Sequence, residues 1–342
     1  MSSESSAQGR QSMKYRIWRL SVVFCLSLVG VQAFGMTPEK VTPSDVFAMA
    51  RNMNRFADAL LAAKEIEPPT ARVTEDAAAP MHVYQAHLAC IAAIHELQVD
   101  VGMTPIPIVV STPRKYKPED VLELGKLMLS HLRAYSAEQG IQLGEFRETF
   151  TGKTPLDVYK EVFALHKKIN ALRGIEEFSP SLVFEQIQRA VLDLQQVVKV
   201  VDCQRGDDKR SLRYMRSAAY GVHPGGGIFE ATKGNLKPTD AFNACLKLRE
   251  GIGRLMVTLG HPKQSVAWPG ESVLADIKPS DVFVQTQYIL SEINLLKEPL
   301  GIRSSTPLGI PTQGKKPSDV CHQADFSLYM IERLIWNYDN KP

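Results

Sequence analysis

One short phrase recurs eight times through this chain: a proline, two residues, then Val or Ala, then usually an aromatic or aliphatic side chain. Six copies are clear, starting at Pro43, Pro118, Pro155, Pro238, Pro279 and Pro317, and each carries an acid two residues after the proline (Asp45, Asp120, Asp157, Asp240, Asp281, Asp319). Weaker copies start at Pro80 (Met81-His82-Val83-Tyr84) and Pro180 (Ser181-Leu182-Val183-Phe184). Such a repeat constrains the fold more than composition does, because each copy must be one structural unit completed by its neighbours.

Each copy reads as a helix start. Proline suits the first helical position, where its missing N–H has no intrahelical partner and its φ is already helical. Thr42, Thr154 and Ser179 precede it as N-caps, and the Asp meets the positive end of the helix dipole. Lys117, Lys237, Lys278 and Lys316 are poor caps, which leaves those starts less defined. The residues at +3, +7, +10, +14 and +17 from each proline then form an apolar stripe, for example Val158, Val162, Leu165, Ile169 and Leu172. Spacing that alternates four and three is one face of an α-helix. Positions +4 and often +11 (Ile91, Leu129, Val191, Leu290) widen that face to the width of a bundle interior. The expected protein is all-α, with eight helices of about five turns, arranged as two tandem four-helix bundles or one helical-repeat array.

The prolines are 37, 38 and 37 residues apart up to Pro155, then 25, 58, 41 and 38. The irregular middle places a boundary at 174–179, giving repeats one to four in 36–175 and five to eight in 176–342. The connections are long for a bundle, and 98–117 and 297–316 are rich in Ile, Val and Leu. They are expected to run back along the bundle as extended crossovers joining helices of the same direction, since about 17 extended residues reach past 50 Å.

Residues 1–35 read as a signal peptide, with 1–12 as a possible upstream extension before Met13. Lys14, Arg16 and Arg19 precede an apolar run, Leu20 to Val31, too short to span a bilayer. Ala33 or Gly35 closes a small-residue cleavage site. A periplasmic or secreted destination follows. Residues 1–33 hold four of the 40 basic and one of the 37 acidic residues, leaving 36 of each. A neutral remainder has no field to draw nucleic acid or anionic lipid. The basic stretch Lys209 to Arg216 is a local exception and reads as a solvated face. No later segment is apolar enough to span a membrane.

Motifs for chemistry are few. Gly221 to Gly227 is glycine-rich but lacks the Lys-Ser/Thr of a phosphate loop. There is no HExxH, GxSxG, SxxK or CxxC, and no cofactor is implied. Cys90, Cys203, Cys245 and Cys321 follow the signal, as disulfide candidates in an oxidising compartment or as small core residues. His82, His87 and His95 with Glu96 are candidate metal ligands, against the reading of His87 as a hydrogen-bonded core residue. The leading expectation is an exported, non-enzymatic helical-repeat binding or scaffold protein using its long loops or the groove between bundles. The alternatives are an exported metal-binding or enzymatic bundle using the histidines, and a periplasmic sensor module for a partner.

Overall fold

The eight prolines each open a helix in the computed structural model, which describes residues 40–105, 112–142, 144, 148–204, 235–262, 266–307 and 312–339. The helices are α1 (Pro43–Ala63), α2 (Pro80–Asp100), α3 (Pro118–Glu138), α4 (Pro155–Leu172), α5 (Pro180–Gln204), α6 (Pro238–Thr258), α8 (Pro279–Lys297) and α9 (Pro317–Asp339), with a single turn α7 (Glu271–Leu274) between α6 and α8. The described residues contain no strand. The expected signal segment, the Lys209–Arg216 stretch and the Gly221–Gly227 run lie outside the described residues.

The lysine-capped starts are as well defined as the others, for a reason the cap residue does not reveal. The backbone N–H of Thr42, Lys117, Thr154, Lys237, Lys278 and Lys316 each donates to the carboxylate three residues on, at 2.7–2.8 Å. This is the reciprocal half of a capping box. It uses only the backbone of the cap residue, so Lys serves as well as Thr. In α2 the Nδ1 of His82 takes the place of the carboxylate, accepting from Ala79 N–H at 2.8 Å. In α5 the forward half operates instead, with Ser179 Oγ accepting from Leu182 N–H at 3.2 Å.

All five stripe positions are buried in each of the eight long helices. Helices α1 to α4 pack around one core in the cyclic order α1, α4, α2, α3, and α5, α8, α6, α9 form a second ring. Within a ring the helices are parallel and in register. Pro43, Pro80, Pro118 and Pro155 meet at one end, together with the first valines Val46, Val83, Val121 and Val158. In the second ring Pro180, Pro238, Pro279 and Pro317 do the same with Val183, Ala241, Val282 and Val320. One layer further in, His87 lies against Gly125, each seven residues beyond its proline; a Cβ on Gly125 would stand 3.5 Å from His87 Nε2.

Four parallel dipoles bring four positive ends together, each about half a unit charge. The carboxylates three residues beyond the caps sit against those ends and offset the repulsion. A second compensation comes from the other ring, which runs the opposite way. His82, early in α2, reaches Glu292, late in α8, while His166, late in α4, meets Phe283, early in α8.

Parallel neighbours need crossovers as long as a helix, and two described stretches lie along the bundles. Residues 148–153 descend α1: Glu148 pairs with Arg55, Phe150 packs on Phe47, and Lys153 N–H donates to Ser44 Oγ. Residues 304–307 and 312–315 lie along α5 in the same way. Ser304 bonds Gln196, Thr306 bonds Asp193, Pro307 O accepts from Arg189, and Lys315 N–H donates to Ser181 Oγ. Lys153 Nζ lies 4.4 Å from the Phe47 ring centre and Lys315 Nζ 4.3 Å from that of Phe184. The two rings are thus copies of one four-helix unit, with α1, α2, α3 and α4 corresponding to α5, α6, α8 and α9. Residues 41–342 form one compact unit, the rings meeting where α2 lies on α8.

Candidate functional site

The sequence of α2 has no Asp, Glu, Lys or Arg from Met81 to His95, and α8 has none from Val282 to Ser291. A helix apolar or neutral all round is one that is covered all round. Every residue of α8 from Ser280 to Ile293 is buried. Where α2 meets α8 the fold encloses a buried group of ionisable side chains.

Arg249 of α6 is at the centre. Its guanidinium donates to Glu292 at 2.9 Å, to Glu75 at 3.1 Å and to Gln285 at 2.8 Å, and all four residues are buried. Gln285 also donates to Glu75. The Arg249 Cζ stands 4.6 Å from the Tyr288 ring centre, a cation–π contact. His82 stacks on the same ring at 4.1 Å, and Tyr159 meets it edge-on at 5.2 Å. Tyr288 Oη donates to Ala77 O at 2.9 Å.

The α1–α2 crossover carries this site across the junction by running along α8. Arg72 pairs with Asp281 at 2.6 Å, Glu75 follows at Gln285, and Ala77 at Tyr288. Contacts three or four residues apart on α8 are successive turns of one helix face.

One guanidinium faces two carboxylates here. Burial works against the Arg249 charge, but Glu292 and Glu75 outweigh it and hold its pKa above the usual value. Burial pushes the Glu292 carboxyl up, and Arg249, shared between two acids, offsets only part of that. Burial, and then the Arg249 charge, hold His82 down at about 3. His82 is therefore neutral, and because Nδ1 accepts from Ala79 its proton sits on Nε2. Glu292 Oε1 is 3.9 Å from that nitrogen, beyond hydrogen-bond reach. The buried His82 Nε2, Glu292 Oε2 and Tyr159 Oη have no hydrogen-bond partner.

A second buried pair lies on the far side of α8. Lys297 Nζ donates to Asp193 Oδ1 at 2.6 Å with both side chains fully buried, and Thr306 of the crossover donates to Asp193 Oδ2 at 2.6 Å. Burial lowers the Lys297 pKa, with Asp193 opposing. Chemically, both clusters are clamps: the first fastens the α1–α2 crossover through the Arg249–Glu75 ion pair, and the second joins α8 to α5 by an ion pair that also anchors the α8–α9 crossover through Thr306.

The histidines proposed as ligands part company. His82 belongs to the Arg249 cluster. His87 bonds Val83 O through Nδ1 at 2.9 Å and packs toward Gly125. His95 meets His131, and Glu96 turns outward to Arg173 at 3.7 Å. Among the described residues no three His, Cys, Asp or Glu side chains stand together as metal ligands. Cys90, Cys245 and Cys321 are buried free thiols; the side chain of Cys203 lies outside the described residues. No helix among the described residues is long and apolar enough to cross a membrane.

Sequence reasoning passed over Arg249, although its position marked it. It occupies the +11 position that the repeat fills with Ile91, Leu129, Val191 and Leu290. Asn54 and His166 occupy the same position in α1 and α4, and both make specific buried contacts, to Glu161 O at 2.7 Å and to the Phe178 and Phe283 rings. A polar residue at +11 was the available signal. No protein-family model, no curated protein and no solved structure matches this chain.

Proposed function

We propose that this chain is an exported, non-enzymatic scaffold that binds a protein partner. The observation that supports this reading is how the interior charges are used. Arg249, Glu75 and Glu292 are committed to one another, as are Lys297 and Asp193. Glu75 holds the α1–α2 crossover to Arg249, and Thr306 holds the α8–α9 crossover to the paired Asp193, so the long loops brace the frame. A frame stiffened in this way suits presentation of a fixed outer surface.

The surface that fits a partner is the end of the α6–α9 seam. Arg254 and Glu332 bridge these helices at 2.9 Å. One turn further on, at the same distance from their prolines, stand Val257 and Trp336, 50% and 65% exposed. Large exposed apolar side chains near the end of two packed helices mark interaction sites, and Trp is enriched among residues that dominate binding energy. The charges around the seam would supply the polar rim.

The test is recovery of partners from an envelope fraction by the wild-type chain and by the pair of variants Trp336→Glu and Val257→Asp. A protein retained by wild type and lost by both variants, at unchanged thermal stability, supports the reading. Equal recovery by all three, or recovery of none, refutes it.

A further inference from the structure

The α2–α3 contact holds a group of polar atoms that the packing leaves without partners. His131 of α3 is fully buried, and neither its Nδ1 nor its Nε2 has a hydrogen-bond partner. A neutral imidazole has one N–H and one lone pair to satisfy, and folds rarely bury both unmet. Facing it from α2 is His95, its ring centre 4.7 Å away at an interplanar angle of 63°, with Nε2 again buried and unpartnered. Gln98, one turn beyond His95, donates its amide to His131 O at 3.1 Å. That bond fixes which end of the amide is oxygen and leaves Oε1 a buried acceptor with no partner.

Two imidazoles bound to one zinc-like ion at about 2.0–2.1 Å place their ring centres roughly 5 Å apart. The rings of His95 and His131 already stand at that separation. We propose that His95 and His131, with Gln98 Oε1, form a binding site for a divalent transition-metal ion of the Zn²⁺ and Cu²⁺ type. Imidazole nitrogen selects these ions over Mg²⁺ and Ca²⁺, which prefer all-oxygen shells. His95 as a residue is half-buried, which places the site at the edge of the packing, and water would complete the coordination. Burial lowers the pKa of both rings, with the His95 charge adding at His131 and Glu96 opposing at His95. Both are thus unprotonated at neutral pH, the form that ligates. The site is independent of the Val257–Trp336 surface, so either proposal can fail without the other.

The test uses the full chain, purified without a histidine tag and stripped by a chelator. Calorimetric titration with Zn²⁺ should give one ion per chain, and Co²⁺ should give visible d–d absorption. His95→Ala and His131→Ala should each weaken Zn²⁺ binding at least tenfold and abolish the Co²⁺ bands, while His261→Ala, in the other ring, leaves both unchanged. Circular dichroism checks the fold of each variant. If His131→Ala does not fold, His95→Ala decides alone, since that residue lies at the edge of the packing. Absence of stoichiometric Zn²⁺ would leave an edge-to-face ring contact only and overturn the proposal. Wild-type affinity in the folded variants would overturn it equally.

Discussion

Acidification should weaken this protein between pH 7 and 5, above the range where most carboxylates titrate. Burial holds His82, His87 and His166 at about 3, 4 and 3 respectively, with the Arg249 charge adding at His82, the Arg173 charge at His166, and a bond to Val83 opposing at His87. Unfolded, each returns to about 6.5. The unfolded chain therefore binds more protons in this window, and stability falls as pH falls. Between pH 7 and 5 each imidazole forfeits about 2 kcal/mol, so the three together forfeit about 6 kcal/mol. That is a large part of the roughly 5–15 kcal/mol that holds a domain folded. Glu292 and Glu185 act the other way, because burial raises their pKa and the folded state takes up protons first. Asp45 and Asp157, lowered by their bonds to Thr42 and Thr154, withdraw stability only as the pH drops below about 4. Urea unfolding followed by circular dichroism at pH 7, 6 and 5 measures the slope. Replacing His87 by Leu or His166 by Phe should each remove about one third of the fall. A midpoint that does not move between pH 7 and 5, or a fall unaltered in both variants, would refute the assignment of these rings as neutral and buried.

Two further outcomes follow from local geometry. Glu65 ends α1 with φ of 55°, where the other helix ends of this kind place Gly102, Gly140, Gly174, Gly260 and Gly301; Glu65→Gly should stabilise by about 0.5–1 kcal/mol in thermal unfolding, and a loss would show that the Glu65 side chain is needed. Arg249→Met should cost about 3–5 kcal/mol by leaving Glu75 and Glu292 buried without a counter-charge, whereas Arg249→Met combined with Glu75→Gln and Glu292→Gln should recover most of it; equal losses in the single and triple variants would mean that Arg249 matters for its packing alone.

Much of the frame was legible because one physical rule repeats. Proline start and a four-three stripe locate every long helix, six of them with the acid as well, and their burial follows from the spacing alone. The helix ends were equally legible. Gly102, Gly140, Gly260 and Gly301 each lie 22 residues after their proline, followed by Met103, Ile141, His261 and Ile302. The N–H of each following residue closes the end by bonding five residues back, as in Met103 N–H to Gln98 O at 2.9 Å, the pattern of a Schellman stop. Helix direction was legible only through loop length, since a stripe is the same read from either end of a bundle. The Arg249 site was hidden for a different reason. Glu75 comes from a loop, Arg249 and Glu292 from separate helices, and only the antiparallel seating of the two rings brings the loop to them. Spacing within one helix carries no record of that seating.

The two copies differ in the faces that the junction leaves over. The rings meet through unlike faces, the second helix of one unit against the third helix of the other. A contact of this kind is heterologous and leaves both complementary faces free for another unit to join. Those faces belong to α6 and α3. Where α2 offers Gln85 and Ala89 to the junction, α6 has Asn243 and the exposed Lys247; where α8 offers Val284 and Gln287, α3 has the exposed Glu123 and Lys126. Gln85 meets Gln287 at the junction, so in the same seating Lys126 would be buried against Asn243, a charge without a carboxylate, at a cost of several kcal/mol. The duplication therefore supplied one junction, and four charged or polar positions closed the ends, as the polar outer faces of capping repeats do in longer arrays.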